Sequence, residues 1–70
     1  MIAVAKHGEE MKEIAHREGM TVTDALREAD ITTTEKEDTI SVNNEPVKNP
    51  AETELADENI VVVTPKPKNG

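Results

Sequence analysis

The chain has 70 residues, no cysteine, Phe, Tyr or Trp, and a formal charge of −7. A chain this short closes around one core and buries only about 60% of its unfolded surface, so a single aliphatic core of Ile, Val, Leu and Met is expected, with no disulfide framework and no thiolate zinc site. The acidity argues against a nucleic-acid backbone or an anionic membrane as partner, because neutralising phosphate takes clustered Lys and Arg, and leaves a basic protein surface or solubility alone as its purpose.

Ile2 and Val4 alternate with Ala3 and Ala5, which predicts a short first strand buried largely on both faces, reaching towards Lys6. "KHGEE" supplies a turn, and Met11 to His16 then closes a hairpin with Met11, Glu13 and Ala15 opposite Lys12, Ile14 and His16. The same residues also fit a short helix stopped by Gly19, and both readings stay open. The clearest signal is "TVTDALREADI". Thr21 serves as N-cap with Asp24 three residues on, which places an acid at the positive end of the helix dipole. Val22, Ala25, Leu26 and Ala29 then fall at i, i+3, i+4 and i+7, the stripe that faces a core, with Ile31 packing just past the end.

"TTTEKED" reads as a polar loop. Strand character resumes in "TISV", with Ile40 and Val42 on one side and Thr39 and Ser41 on the other. "NNEPV" predicts a tight turn on Asn43 and Asn44 and a short segment carrying Val47, which Pro46 confines to a sheet edge or a bulge. "KNPAETELADEN" is irregular, with Leu55 as its large apolar anchor and "DEN" as a turn. Ile60 to Val63 is a continuous β-branched run that suits a central strand buried on both faces rather than an edge strand open to a partner. Hairpin, helix, strand, short strand and final strand, with the first and last strands adjacent and parallel, satisfy the right-handed crossover rule. The fold class expected is therefore α+β of the β-grasp or ubiquitin-like kind, a mixed four- to five-stranded sheet crossed by one helix. Residues 1–65 would form the domain and 66–70 a flexible tail.

Three stretches resemble one family. "TVTDALREADI" is similar to the helix of the small β-grasp sulfur carriers, namely the small subunit of molybdopterin synthase and the carrier of thiamine biosynthesis. "ISVNNEPV" resembles their V-x-V-N-G-E-x-V strand, turn and strand, and "TELADENIVVVTPKPKNG" resembles their T-x-L-x-D-G-D-x-V-x-x-x-P ending and its Gly-Gly tail. The resemblance covers roughly residues 20 to 70. It implies that the terminal carboxylate, here that of Gly70, is the functional group, and that a partner enzyme adenylates it with ATP ahead of thiocarboxylate or isopeptide formation. No cofactor intrinsic to the chain is implied. A carboxylate threading a narrow channel needs residues without bulk, which glycine provides. Asn69 stands where the family has its first tail glycine, and "DEN" and Asn44 stand where it has D-G-D and glycine. The Asn69 departure sets a second reading beside the first, a non-conjugating β-grasp binding module or regulator.

Pro65 and Pro67 fix φ and remove two amide donors, so they are expected to end strand pairing and hold an extended arm. Pro65, Lys66, Pro67, Lys68 and Asn69 are the candidate partner-binding tail, and Lys66 and Lys68 meet phosphates or acidic groups there or keep the tail soluble. His7 and His16 are expected on the surface, since no cysteine or paired-histidine spacing makes a metal site. Glu52, Glu54, Asp57 and Glu58 form one acidic cluster and Glu35, Glu37 and Asp38 another; their polar loops offer no apolar pocket to raise a carboxyl pKa, so both read as solvated surface. No P-loop or nucleophile elbow occurs, which predicts a chain that is not itself an enzyme. A swapped-hairpin DNA-binding dimer built on "TISVNNEPV" is disfavoured by the acidity and the single good helix. No stretch reaches the roughly 18 apolar residues of a membrane span, and "MIAVAKHGEE" lacks the apolar core of a signal peptide, so a cytoplasmic protein, monomeric when free, is expected.

Overall fold

The computed structural model describes residues 1–34 and 36–66. Glu35, Pro67, Lys68, Asn69 and Gly70, all singled out above, lie outside the described residues. The elements are β1 (Ile2–Lys6), β2 (Lys12–Ile14), α1 (Val22–Glu28), β3 (Asp38–Val42), β4 (Glu45–Pro46) and β5 (Ile60–Pro65). They form an α+β unit with one helix and a five-stranded mixed sheet ordered β2-β1-β5-β3-β4. β5 is central, parallel to β1 and antiparallel to β3. Residues 11–16, open between strand and helix, contain a strand: Ile14 pairs with Ile2 and Lys12 with Val4. β4 is the outer edge, where Pro46 lacks no ladder donor.

α1 begins as its sequence predicts. Thr21 is extended, its Oγ1 accepts the Asp24 N–H at 3.3 Å, and the Asp24 carboxylate accepts the Thr21 N–H at 3.1 Å. The box satisfies two N–H groups that helix geometry leaves without partners. The helix ends on a feature that no glycine announces. Asp30 follows the Ala29 C-cap with φ of 59°, its N–H donates to Arg27 O at 3.1 Å, and the Ile31 N–H donates to Leu26 O at 2.9 Å. Those two bonds are the Schellman pattern, and buried Ile31 and Leu26 supply its apolar contact. From β2, the Lys12 ammonium donates to Ala29 O at 2.7 Å, a cation at the negative end of the helix.

Val22, Ala25, Leu26 and Ala29 meet Ile2, Val4, Ile40, Val61 and Val63 in one core, closed by Met20, Ile31 and Leu55. The irregular segment at 48–59 closes it from the same side as the helix. Leu55 N–H donates to Met20 O at 2.7 Å and Val22 N–H to Thr53 O at 3.0 Å, stitching this segment to the start of α1.

The expectation that β1 and β5 are buried on both faces is corrected here. Val61 and Val63 are fully buried, but Val62 is only half-buried and Ile60 is 44% exposed; in β1, Ile2 and Val4 are buried while Ala3 and Ala5 are half-buried. The reason is arithmetic of layers. The helix and the Leu55 segment are the two bodies available to cover a sheet, and both lie on one side of it, so the β-branched run has one cover rather than two.

Candidate functional site

β5 leads out of the sheet towards the C-terminus, so its last residues and its exposed face are the places where the fold could meet a partner. Pro65 was expected to end strand pairing. Instead it pairs in register with Asp38, and one residue later the Lys66 N–H donates to Glu37 O at 2.8 Å. The alternation of the backbone explains this. The Ile60 carbonyl accepts the Asn43 N–H, so even positions of β5 turn their amides to β3; Val63 O accepts the His7 N–H, so odd positions turn towards β1. The nitrogen of Pro65 therefore faces the side on which β1 has already ended at Lys6, and the missing donor costs no ladder bond. Of the candidate tail, Pro65 and Lys66 thus run along β3, and both are exposed.

The turn before β5 is held by charge as well as by backbone. The Met1 ammonium donates to Asp57 Oδ1 at 2.5 Å, and Glu58 N–H donates to Met1 O at 3.0 Å. The hydrogen bond from the ammonium holds the Asp57 carboxyl below its ordinary value, and the same bond raises the pKa of the Met1 amine. Glu58 takes a φ of 72° and Asn59 Oδ1 accepts the Ala56 N–H at 2.7 Å, so "DEN" makes its turn without glycine. On the other side of β5, Asn43 and Asn44 turn with φ of 50° and 70°, and Asn43 Oδ1 accepts the Ile60 N–H at 2.9 Å. Asn43 is thus both a turn residue and the acceptor for the first amide of the central strand. That second role was missed, because it depends on β3 and β5 being neighbours.

Two members of the second acidic cluster hold the loop into β3. The Asp38 carboxylate accepts the Thr34 N–H at 2.9 Å and Glu37 accepts the Thr34 hydroxyl at 3.3 Å, fixing the loop into β3. Glu52, Glu54 and Glu58 are exposed. His7 is exposed as expected, whereas His16 is half-buried and its Nε2 lies 2.9 Å from Leu55 O, tying β2 to the 48–59 segment. Among the described residues no group of three His, Cys, Asp or Glu is placed to hold a metal ion, and no helix is long and apolar enough to cross a membrane.

The register assembles the face that the helix leaves uncovered. Glu13, Ala3 and Ile60 stand in one cross-strand row, and Ala5, Val62, Ser41 and Pro46 in the next. A shallow cleft on the opposite side, where β3 runs past the end of β4, is lined by Thr33, Thr39, Val47, Lys48 and Pro50. No family model, curated protein or solved structure matches this chain.

Proposed function

We propose that this chain is a β-grasp protein of the sulfur-carrier type, whose Gly70 carboxylate is adenylated by a partner enzyme using ATP. The observation that carries this reading is the position of β5. It is the central strand, parallel to β1, and it belongs to the stretch "TELADENIVVVTPKPKNG" that resembles the ending of the carriers. In the proposed reaction the carboxylate oxygen attacks the α-phosphorus, pyrophosphate leaves, and hydrosulfide then displaces AMP from the acyl-adenylate to give a thiocarboxylate and a proton. The chain contributes the acyl group and the reach; the partner contributes ATP and the catalytic groups. Pro65 pairs with Asp38 of β3 and the Lys66 N–H donates to Glu37 O, so the described chain stays on the sheet into the candidate tail.

A second reading keeps the fold and drops the chemistry. Asn69 carries a Cβ and an amide where the resembling sequences carry glycine, and this favours a non-conjugating binding module or regulator. One experiment separates the two. The full chain is incubated with ATP, a sulfur donor and an adenylating enzyme of the molybdopterin or thiamine type, and its intact mass is measured. The carrier reading expects a gain of about 16 Da, oxygen replaced by sulfur at an activated carboxylate. An unchanged mass for the native chain, with the gain restored by Asn69→Gly, would overturn the carrier reading and support the binding module.

A further inference from the structure

The three exposed large hydrophobic residues among the described residues are Met1, Met11 and Ile60, at 51%, 58% and 44% exposure. They are far apart in sequence, yet alternation puts them on one surface. In β1, Ile2 and Val4 point into the core, so Ala3 and Ala5, and Met1 one residue before the strand, point the other way. In β2, Lys12 and Ile14 pair with Val4 and Ile2, so Glu13, and Met11 one residue before the strand, belong to the same outer face. In β5, Val61 and Val63 are inside, leaving Ile60 and Val62 outside. The result is a contiguous apolar area across three adjacent strands. Isolated exposed apolar residues are ordinary; a contiguous set on a sheet that has a cover on its other side marks an interaction surface. Two of its members are methionines, side chains that adapt to more than one partner shape.

The charges around this area are ordered too. Both lysines of the hairpin are turned to the helix side and engaged there, Lys12 with Ala29 O and Lys6 with Thr32 O at 3.1 Å. Their commitment leaves the hairpin half of the open face with carboxylates at its margins. Glu13 stands in the row with Ala3 and Ile60, Glu9 and Glu10 occupy the turn between β1 and β2, and Glu58 precedes Ile60 in the turn into β5; all four are exposed.

We propose that the outer face of β2, β1 and β5, centred on Ala3, Ala5, Ile60 and Val62, docks a partner protein whose surface has an apolar centre and a rim of lysine or arginine. Charge complementarity selects this occupant. A second copy would bring a further −7 and a matching glutamate margin against the first, and an anionic bilayer would be repelled in the same way. A basic-rimmed protein gains apolar burial at the centre and faster encounter from the charge at the margin. The proposal does not depend on Gly70, so failure of carboxylate activation leaves it standing and its own failure leaves that chemistry open.

The test uses the full ¹⁵N-labelled chain and a defined probe, a synthetic amphipathic helical peptide of leucine and lysine, beside a peptide of the same apolar pattern with glutamate replacing lysine. The expected result is that the lysine peptide shifts the amides of Ala3, Ala5, Glu13, Ile60 and Val62 most, and that the glutamate peptide shifts none of them. Combining Ile60→Thr with Val62→Thr keeps β-branching and net charge and should weaken binding by about fivefold or more, as loss of central apolar contacts does. Glu13→Lys should weaken it as well. An unchanged affinity in the double threonine variant, or shifts centred on the acidic 48–59 segment, would mean that charge alone drives binding and would overturn the proposal. So would sedimentation showing a dimer that the double variant abolishes, since the occupant would then be a second copy.

Discussion

Val61 and Val62 are neighbours in one strand and face opposite sides of the sheet, so truncating each in turn measures how many faces are covered. Val61 is fully buried against the helix side, and Val61→Ala removes two methyl groups from the core. At about 0.8 kcal/mol per buried methyl(ene), the transfer loss is about 1.6 kcal/mol, and the residual cavity brings it to about 2–3 kcal/mol. Val62 is half-buried, with solvent on its outer side. Val62→Ala forfeits roughly half the transfer and leaves no enclosed cavity, about 0.8 kcal/mol, and the loss of β-branching, common to both variants, cancels in the comparison. A 70-residue chain has only roughly 3.5–10 kcal/mol in hand, so the first change takes a large share of it and the second does not. With neither Trp nor Tyr in the chain, far-ultraviolet circular dichroism is the probe for a urea titration. At a slope near 1 kcal/mol/M, Val61→Ala should lower the midpoint by about 2–3 M and Val62→Ala by about 1 M or less. Equal shifts would refute the one-sided cover, and with it the exposed face on which the docking proposal stands.

Three further outcomes follow from the capping and turn geometry. Thr21→Ala should cost about 0.5–2 kcal/mol by removing the N-cap acceptor, again read by urea titration. The bonds from the Thr21 N–H and hydroxyl hold the Asp24 carboxyl below its ordinary value of 3.8, so its stabilisation is complete above that value and is lost as pH falls through the lower folded value. Asp24→Asn should therefore flatten the stability–pH curve below about pH 4, leaving the share due to Asp57; an unaltered acid limb would show that the capping carboxylate is not linked to folding. In the β3–β4 turn, Asn44→Gly should be neutral or slightly stabilising because it only relieves a positive φ, whereas Asn43→Gly should cost about 0.5–1.5 kcal/mol by taking the acceptor from the Ile60 N–H. Thermal midpoints of the two variants that fall together would contradict the assigned role of Asn43.

What the sequence disclosed and what it withheld divide by range. The start of α1 was legible because the capping box and the i, i+3, i+4, i+7 stripe are written within nine residues, and the structure repeats both. The strand order was legible because alternation, strand number and the handedness of a crossover leave few alternatives. The end of α1 was less so, since Asp30 adopts a left-handed backbone that sequence assigns to glycine first, and only the two bonds from the next turn reveal it. The covering of β5 was misjudged because a run of four aliphatic β-branched residues looks the same whether one face or two are buried. Counting covers settles it: one helix and one Leu55-bearing segment, both on one side, leave Ile60 and Val62 outside.

Pro65 makes the same point about strand ends. Judged locally, a proline stops a ladder, because it has no donor. Its effect here depends on which neighbour that donor would have addressed, and thus on the length of a strand some sixty residues earlier. β1 ends at Lys6, two pairings short of Pro65, so the nitrogen faces no strand and the β3 side of the ladder continues to Lys66. If β1 reached two residues further, Pro65 would leave one acceptor on that side without its ladder bond, while the pairing with β3 would be unchanged. The stagger between the first and last strands thus decides whether this proline costs the sheet a ladder bond, which no local reading of the sequence around residue 65 can tell.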